Sequence, residues 1–195
     1  MWREPLSSFQ KPLVFLSVGS ISLNEDSGTT TVTATLNAVS ALDVKITLAK
    51  TGTATETADY TLNGSITILA GSSSAFVTLS VVGDALYEED EQVIIDISAV
   101  DNGIEGSLPI GERQTVTIVS EDGKPTVTLM VGNASIEEDT ATPISTLVTA
   151  TLSAISGLDV TVTLTKTGSA IENTDYTLAD AIVVPAGIVI TLPKV

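Results

Sequence analysis

Apolar residues alternate with threonine through much of this chain. Val32, Ala34 and Leu36 are interleaved with Thr31, Thr33 and Thr35, and Val44, Ile46 and Leu48 with Lys45, Thr47 and Ala49. The same beat returns at Val77, Leu79 and Val81, at Val93, Ile95 and Ile97, and at Val116 and Ile118. Period two turns one face of an extended segment to a core and the other to solvent. Threonine suits the outer face, because its branched carbon fits the pleat while its hydroxyl meets water. Turn formers punctuate the run at Asn24–Gly28, Asn63-Gly64, Ala70-Gly71-Ser72 and Asp101-Asn102-Gly103. About seven short strands in roughly 110 residues predict an all-β fold, an immunoglobulin-like Greek-key β-sandwich.

The pattern is also duplicated. Lys11-Pro12-Leu13-Val14 through Thr61-Leu62 returns as Lys124-Pro125-Thr126-Val127 through Thr177-Leu178, with three residues inserted between Asp139 and Val148. Roughly two positions in three of Val32–Leu62 are identical to Val148–Leu178. A period this long is a domain rather than a solenoid rung. The expected organisation is a lead-in or arm over residues 1–10, a complete sandwich over 11–122, and a second repeat over 123–195 that lacks counterparts of the last two strands. Such an incomplete repeat is expected to self-associate or stay partly unformed, since an unpaired apolar edge recruits another strand. Lys50 and Lys166 read as outward strand residues. Asp59-Tyr60 and Asp175-Tyr176 read as a turn aspartate followed by a packed aromatic.

Composition excludes several functions. The chain carries 24 acidic against 8 basic residues, for a net charge of −16. A phosphate backbone needs lysine and arginine, so no nucleic acid is expected as partner. With no His and no Cys, thiol nucleophiles, His-based triads, ordinary zinc sites and disulfides are all ruled out. A paired-carboxylate hydrolase built on Asp84 and Glu88 is the remaining catalytic option, and the expectation is that the chain is not an enzyme. No apolar run reaches the roughly 18 residues of a membrane span. The longest, Ala181–Leu192, is interrupted by Pro185 and Gly187. The opening residues do not resemble a signal peptide.

Acidic residues collect at three places. Glu25-Asp26 lies between the first two predicted strands. Asp84 with Glu88, Glu89, Asp90 and Glu91 lies before the Val93–Ile97 strand. Glu121-Asp122 follows the last strand. In a seven-stranded Greek key these connections can share one end of the sandwich. Carboxylates so gathered repel one another. Hard cations such as Ca²⁺ take six to eight oxygens from groups of this kind. Solvated turns without an ion are the alternative.

The ordered set Gly52-Thr53-Ala54, Ala58-Asp59-Tyr60-Thr61, Ile66-Thr67-Ile68-Leu69-Ala70-Gly71 and Asp84-Ala85-Leu86-Tyr87-Glu88-Glu89-Asp90-Glu91 resembles the Calx-beta domain. The resemblance covers nearly all of Lys11–Asp122 and the front of the second copy. It implies an immunoglobulin-like sandwich with calcium sites at one end, of the kind found in sodium–calcium exchangers and in tandem in bacterial surface and adhesion proteins. It also implies the metal ligands Glu25, Asp84, Glu88, Glu91, Glu121 and Asp122. The family's aspartate run is Gly83-Asp84-Ala85 here, and the carboxylate before Gly-Thr-Ala is Thr51. One weakly held Ca²⁺, or none, is therefore the expected range for the cofactor.

The resulting expectation is a structural, calcium-responsive spacer or adhesion module of a larger extracellular or cell-surface protein. Calcium would stiffen its joint to the next module, and its partners would be neighbouring modules. Two other readings stand beside it. One is a self-assembling surface subunit completed by a strand from another chain. The other is a protein- or carbohydrate-binding adhesin head, which an aromatic content of 4% disfavours.

Overall fold

A computed structural model describes residues 10–106, 113–138 and 144–188. Most of the expected lead-in (1–9) and the end of the second repeat (189–195) lie outside the described residues. Among the described residues there is no helix, and the chain divides into two compact units. The first comprises residues up to Asp84 together with Glu89–Ser120; the second comprises Ala85–Glu88 and residues from Glu121 onward.

The first unit is a sandwich of two five-stranded sheets. One sheet runs β5 (Tyr60–Leu62), β7 (Ser74–Val81), β3 (Thr29–Leu36), β1 (Leu13–Val18), β9 (Ile104–Glu105). The other runs β2 (Ser22–Asn24), β10 (Gln114–Val119), β8 (Glu91–Asp101), β4 (Val44–Gly52), β6 (Ser65–Ile68). The alternating apolar residues of both meet in one core: Val14, Val32, Ala34, Val44, Ile46 and Ile95 are fully buried, with Leu79, Val93 and Val116. Val77 packs at the margin of this core and is only half-buried.

Among the described residues ten strands form where about seven were expected. The surplus comes from short pieces at the edges. The first expected strand is divided: β1 joins one sheet, the chain turns at Gly19-Ser20, and β2 joins the other. Gly19 N donates to Thr31 O at 3.0 Å and Ser20 N to Thr30 Oγ1 at 2.7 Å, which pins the crossing. As a result one stretch pairs in parallel at two places, β1 with β9 and β2 with β10. A bulge at Thr47/Leu48 bends β4 where it pairs with β8.

Among its described residues the second unit holds two antiparallel pairs, β11 (Val127–Val131) with β12 (Val148–Leu152), and β13 (Val160–Thr163) with β14 (Ala181–Val184). Its buried core is Ala150, Leu152 and Val184. Duplication of sequence carries over to detail. Lys50 Nζ binds Glu56 and the Leu62 carbonyl; Lys166 Nζ binds Glu172, the Leu178 carbonyl and, at 2.8 Å, Asp180. These lysines are not outward strand residues. Their side chains are 18% and 15% exposed, and each lies across its turn to tie it back to the strand. The burial of Leu129 does not carry over: it is 48% exposed, whereas its counterpart Leu16 is 3% exposed.

Candidate metal centre

The parallel pairing of β2 with β10 sets where the acids converge. Asn24 lies opposite Val119, so both strands end at the same level. Glu25 N then donates to Val119 O at 3.0 Å. The chain leaving β7 arrives at the same place, because Val81 N donates to Gly28 O and Val82 N to Asp59 O, both at 2.9 Å. Gly83 completes the approach. A Cβ there would stand 2.9 Å from both Asp26 Cα and Glu25 O, so a residue with a side chain would push the segment away.

The result is a close pair of carboxylates. Glu25 is 7% exposed, and one of its oxygens lies within 4.8 Å of one from exposed Asp84. Two like charges at this range, one nearly out of water, repel strongly.

A second pair forms between Asp59 and Glu91, both half-buried, again with oxygens within 4.8 Å. Gly52 makes it possible. Its φ of +129° and a Cβ position 1.9 Å from Gln92 O leave room only for glycine. Thr53 N donates to Gln92 O at 3.0 Å, and Gln92 N to Thr53 Oγ1 at 2.9 Å. This clamp holds the start of β8, and hence Glu91, beside the turn that carries Asp59. Asp59 also accepts from Thr55 N, the backbone role expected of a turn aspartate. Tyr60 follows, 3% exposed in the core. Burial holds its hydroxyl above the ordinary value, and the negative charges of Glu56 and Asp59 add to the effect.

Of the expected ligands, Glu25, Asp84 and Glu91 belong to the first unit. Glu88 belongs to the second: Tyr87 N donates to Ile155 O at 3.1 Å and Gly157 N to Tyr87 O at 2.9 Å, and Glu88 packs on Gly157. Glu121 and Asp122 also fall in the second unit. Asp59 is not among the ligands expected from the sequence. Its turn signature hid it, because hydrogen bonding to backbone leaves the second carboxylate oxygen for other work.

A Calx-beta domain model matches residues 9–122. Among solved structures, the apo form of the Calx CBD1 domain is 21% identical, covers 55% of this chain and 99% of its own, and has a TM-score of 0.46. CBD12 from CALX1.2 is 18% identical, covers 88% of this chain and 70% of its own, with a TM-score of 0.46. The calcium binding domain CBD12 of CALX1.1 is 17% identical, covers 92% and 73%, with a TM-score of 0.49. No curated protein matches the chain.

Proposed function

Because the chain belongs to the Calx-beta domain family, we propose that it is a calcium-responsive structural module of a larger extracellular or cell-surface protein. The observation that carries this reading is buried Glu25 beside Asp84. A sandwich end that holds two carboxylates within 4.8 Å is destabilised by their repulsion unless positive charge offsets it.

The donor set fits a hard cation. Every candidate ligand is a carboxylate, and the chain has neither His nor Cys to favour a softer metal. Glu25 with Asp84, and Asp59 with Glu91, would hold Ca²⁺ within the first unit. Glu88, Glu121 and Asp122 remain proposed ligands on the strength of the family resemblance. Bound calcium would supply positive charge where these carboxylates gather. The work of the residues themselves is positional. Gly83 and Gly52 let the loops approach, and the sandwich keeps the acids gathered. The loops after β2 and β7 are then stiff when the charge is offset and loose when it is not. An adhesive role and a surface location belong to the same proposal, which includes no catalytic step.

The test is calorimetric titration of Ca²⁺ into chelator-treated protein, with melting curves in Ca²⁺ and Mg²⁺. Saturation at about 100 times Kd stabilises by about 2.7 kcal/mol. We expect a rise in Tm with millimolar Ca²⁺, a smaller one with Mg²⁺, and a clearly reduced one in a Glu25→Gln, Asp84→Asn double variant. An unchanged melt and no heat of binding would overturn the reading.

A further inference from the structure

Two asparagines of the first unit are followed by glycine, and the fold treats them oppositely. Asn63-Gly64 is the joint at which the chain leaves β5 in one sheet and enters β6 in the other, and it belongs to neither strand. Asn63 is exposed, and a Cβ built on Gly64 meets nothing within 4 Å. Ser65 N donates to Asn63 Oδ1 at 3.2 Å, which folds the side chain forward over Gly64 and polarises its carbonyl. Asn102-Gly103 follows β8. Asn102 has φ +60°, and its Nδ2 donates to Asp43 O at 2.9 Å. Gly103 is buried, and a Cβ there would stand 2.8 Å from Val100 Cγ1 and 3.1 Å from Val44 Cγ1. At Asn24, Asn37, Asn133 and Asn173 the next residue carries a side chain, which crowds its amide.

We propose that Asn63 is a site of spontaneous deamidation, with water as the only co-reactant, and that the fold protects Asn102 from the same reaction. The Gly64 amide nitrogen gives up its proton to hydroxide and attacks Asn63 Cγ. The new Cγ–N bond closes a cyclic imide as the Cγ–Nδ2 bond breaks, and ammonia leaves with a proton taken from water. Water then opens the imide at either carbonyl, giving aspartate or isoaspartate. The net change is one water consumed and one ammonia released. The reaction needs a glycine amide that hydroxide can reach and a side chain folded toward it. Asn63 offers both. At Asn102 burial shields the glycine nitrogen, and the Asp43 carbonyl holds the side-chain amide. The product is a carboxylate one residue beyond Leu62, whose carbonyl accepts from Lys50 Nζ at 3.1 Å. The second repeat has Ala179-Asp180 in this place, and Asp180 binds Lys166 at 2.8 Å. The first repeat thus gains with age an acid of the kind that the second encodes.

The test holds the intact chain in mildly alkaline buffer and follows its peptic peptides by mass spectrometry, with isoaspartyl methyltransferase labelling of the products. We expect a mass gain of about 1 Da per event, confined at first to the peptide carrying Asn63 and faster as pH rises. Asn102 should react at least about tenfold more slowly in the folded chain, and should draw level with Asn63 once the chain is unfolded in denaturant. Gly64→Ala places its methyl in open space, so the fold is kept, and the reaction at Asn63 should slow at least about tenfold. Three results would each overturn the proposal: equal rates at Asn63 and Asn102 in the folded chain, a rate at Asn63 unchanged by Gly64→Ala, or no mass gain at Asn63 under conditions in which the unfolded chain reacts.

Discussion

Two glycines with left-handed backbones show how much a single hydrogen in place of a side chain decides. Gly52 has φ +129° and no room for a Cβ, while Gly71 has φ +84° and open space around it. Gly71→Ala should therefore cost only the backbone term, about 1 kcal/mol. Gly52→Ala adds a collision with Gln92 O and should cost about 3 kcal/mol or more, read by denaturant unfolding. Glu25→Gln is expected to act in the other direction. It removes a negative charge within 4.8 Å of the Asp84 carboxylate, so the metal-free protein should melt at a higher temperature while its response to Ca²⁺ shrinks. Acid should reveal a third residue. The hydrogen bond from Lys166, and then its positive charge, hold the Asp180 carboxyl below the ordinary value. Its contribution is present above the unfolded-state pKa and is lost as pH falls through the lowered one. Asp180→Asn should abolish that part of the acid-side loss of stability and lower the melt slightly at neutral pH, so that the two proteins converge in acid.

Among the strands, the duplication provides an internal control. Leu16 on β1 is 3% exposed and its counterpart Leu129 on β11 is 48% exposed. Leu16→Ala should cost about 2–5 kcal/mol, and Leu129→Ala no more than about 0.5 kcal/mol, measured by denaturant unfolding of each variant. The contrast also marks the limit of reading a pattern. Alternation at Val32, Val44, Val93 and Val116 revealed the inward face of every long strand, because burial of one face imposes a period of two. It did not by itself reveal that Leu13–Asn24 serves two sheets, although the switch at Gly19-Ser20 shifts its phase: the buried residues stand at even positions in Val14 and Leu16 and at an odd one in Leu23. Nor could it separate Lys50, whose charge suggests solvent, from a side chain laid across a turn to reach Leu62 O. The acids Glu25 and Asp84 were legible as a cluster because both stand in turns between recognisable strands. Asp59 was not, because a turn aspartate and a ligand aspartate look alike until the neighbouring strand is placed.

At the scale of the whole molecule, charge dominates. A net −16 on 195 residues repels itself at every separation shorter than the screening length. Monovalent salt should therefore raise Tm on its own, and Ca²⁺ should raise it further at matched ionic strength. A calcium effect no larger than that of sodium at equal ionic strength would reduce the ion's role to screening. The parallel pairing of β2 with β10 bears on a different property. Because Ser22–Asn24 and Gln114–Val119 run the same way, tension applied before the first and after the second slides the two strands along each other. All the hydrogen bonds between them then share the load, where a hairpin would open like a zipper. The first unit is thus built to resist stretching along its own chain, a property suited to a link in a tether.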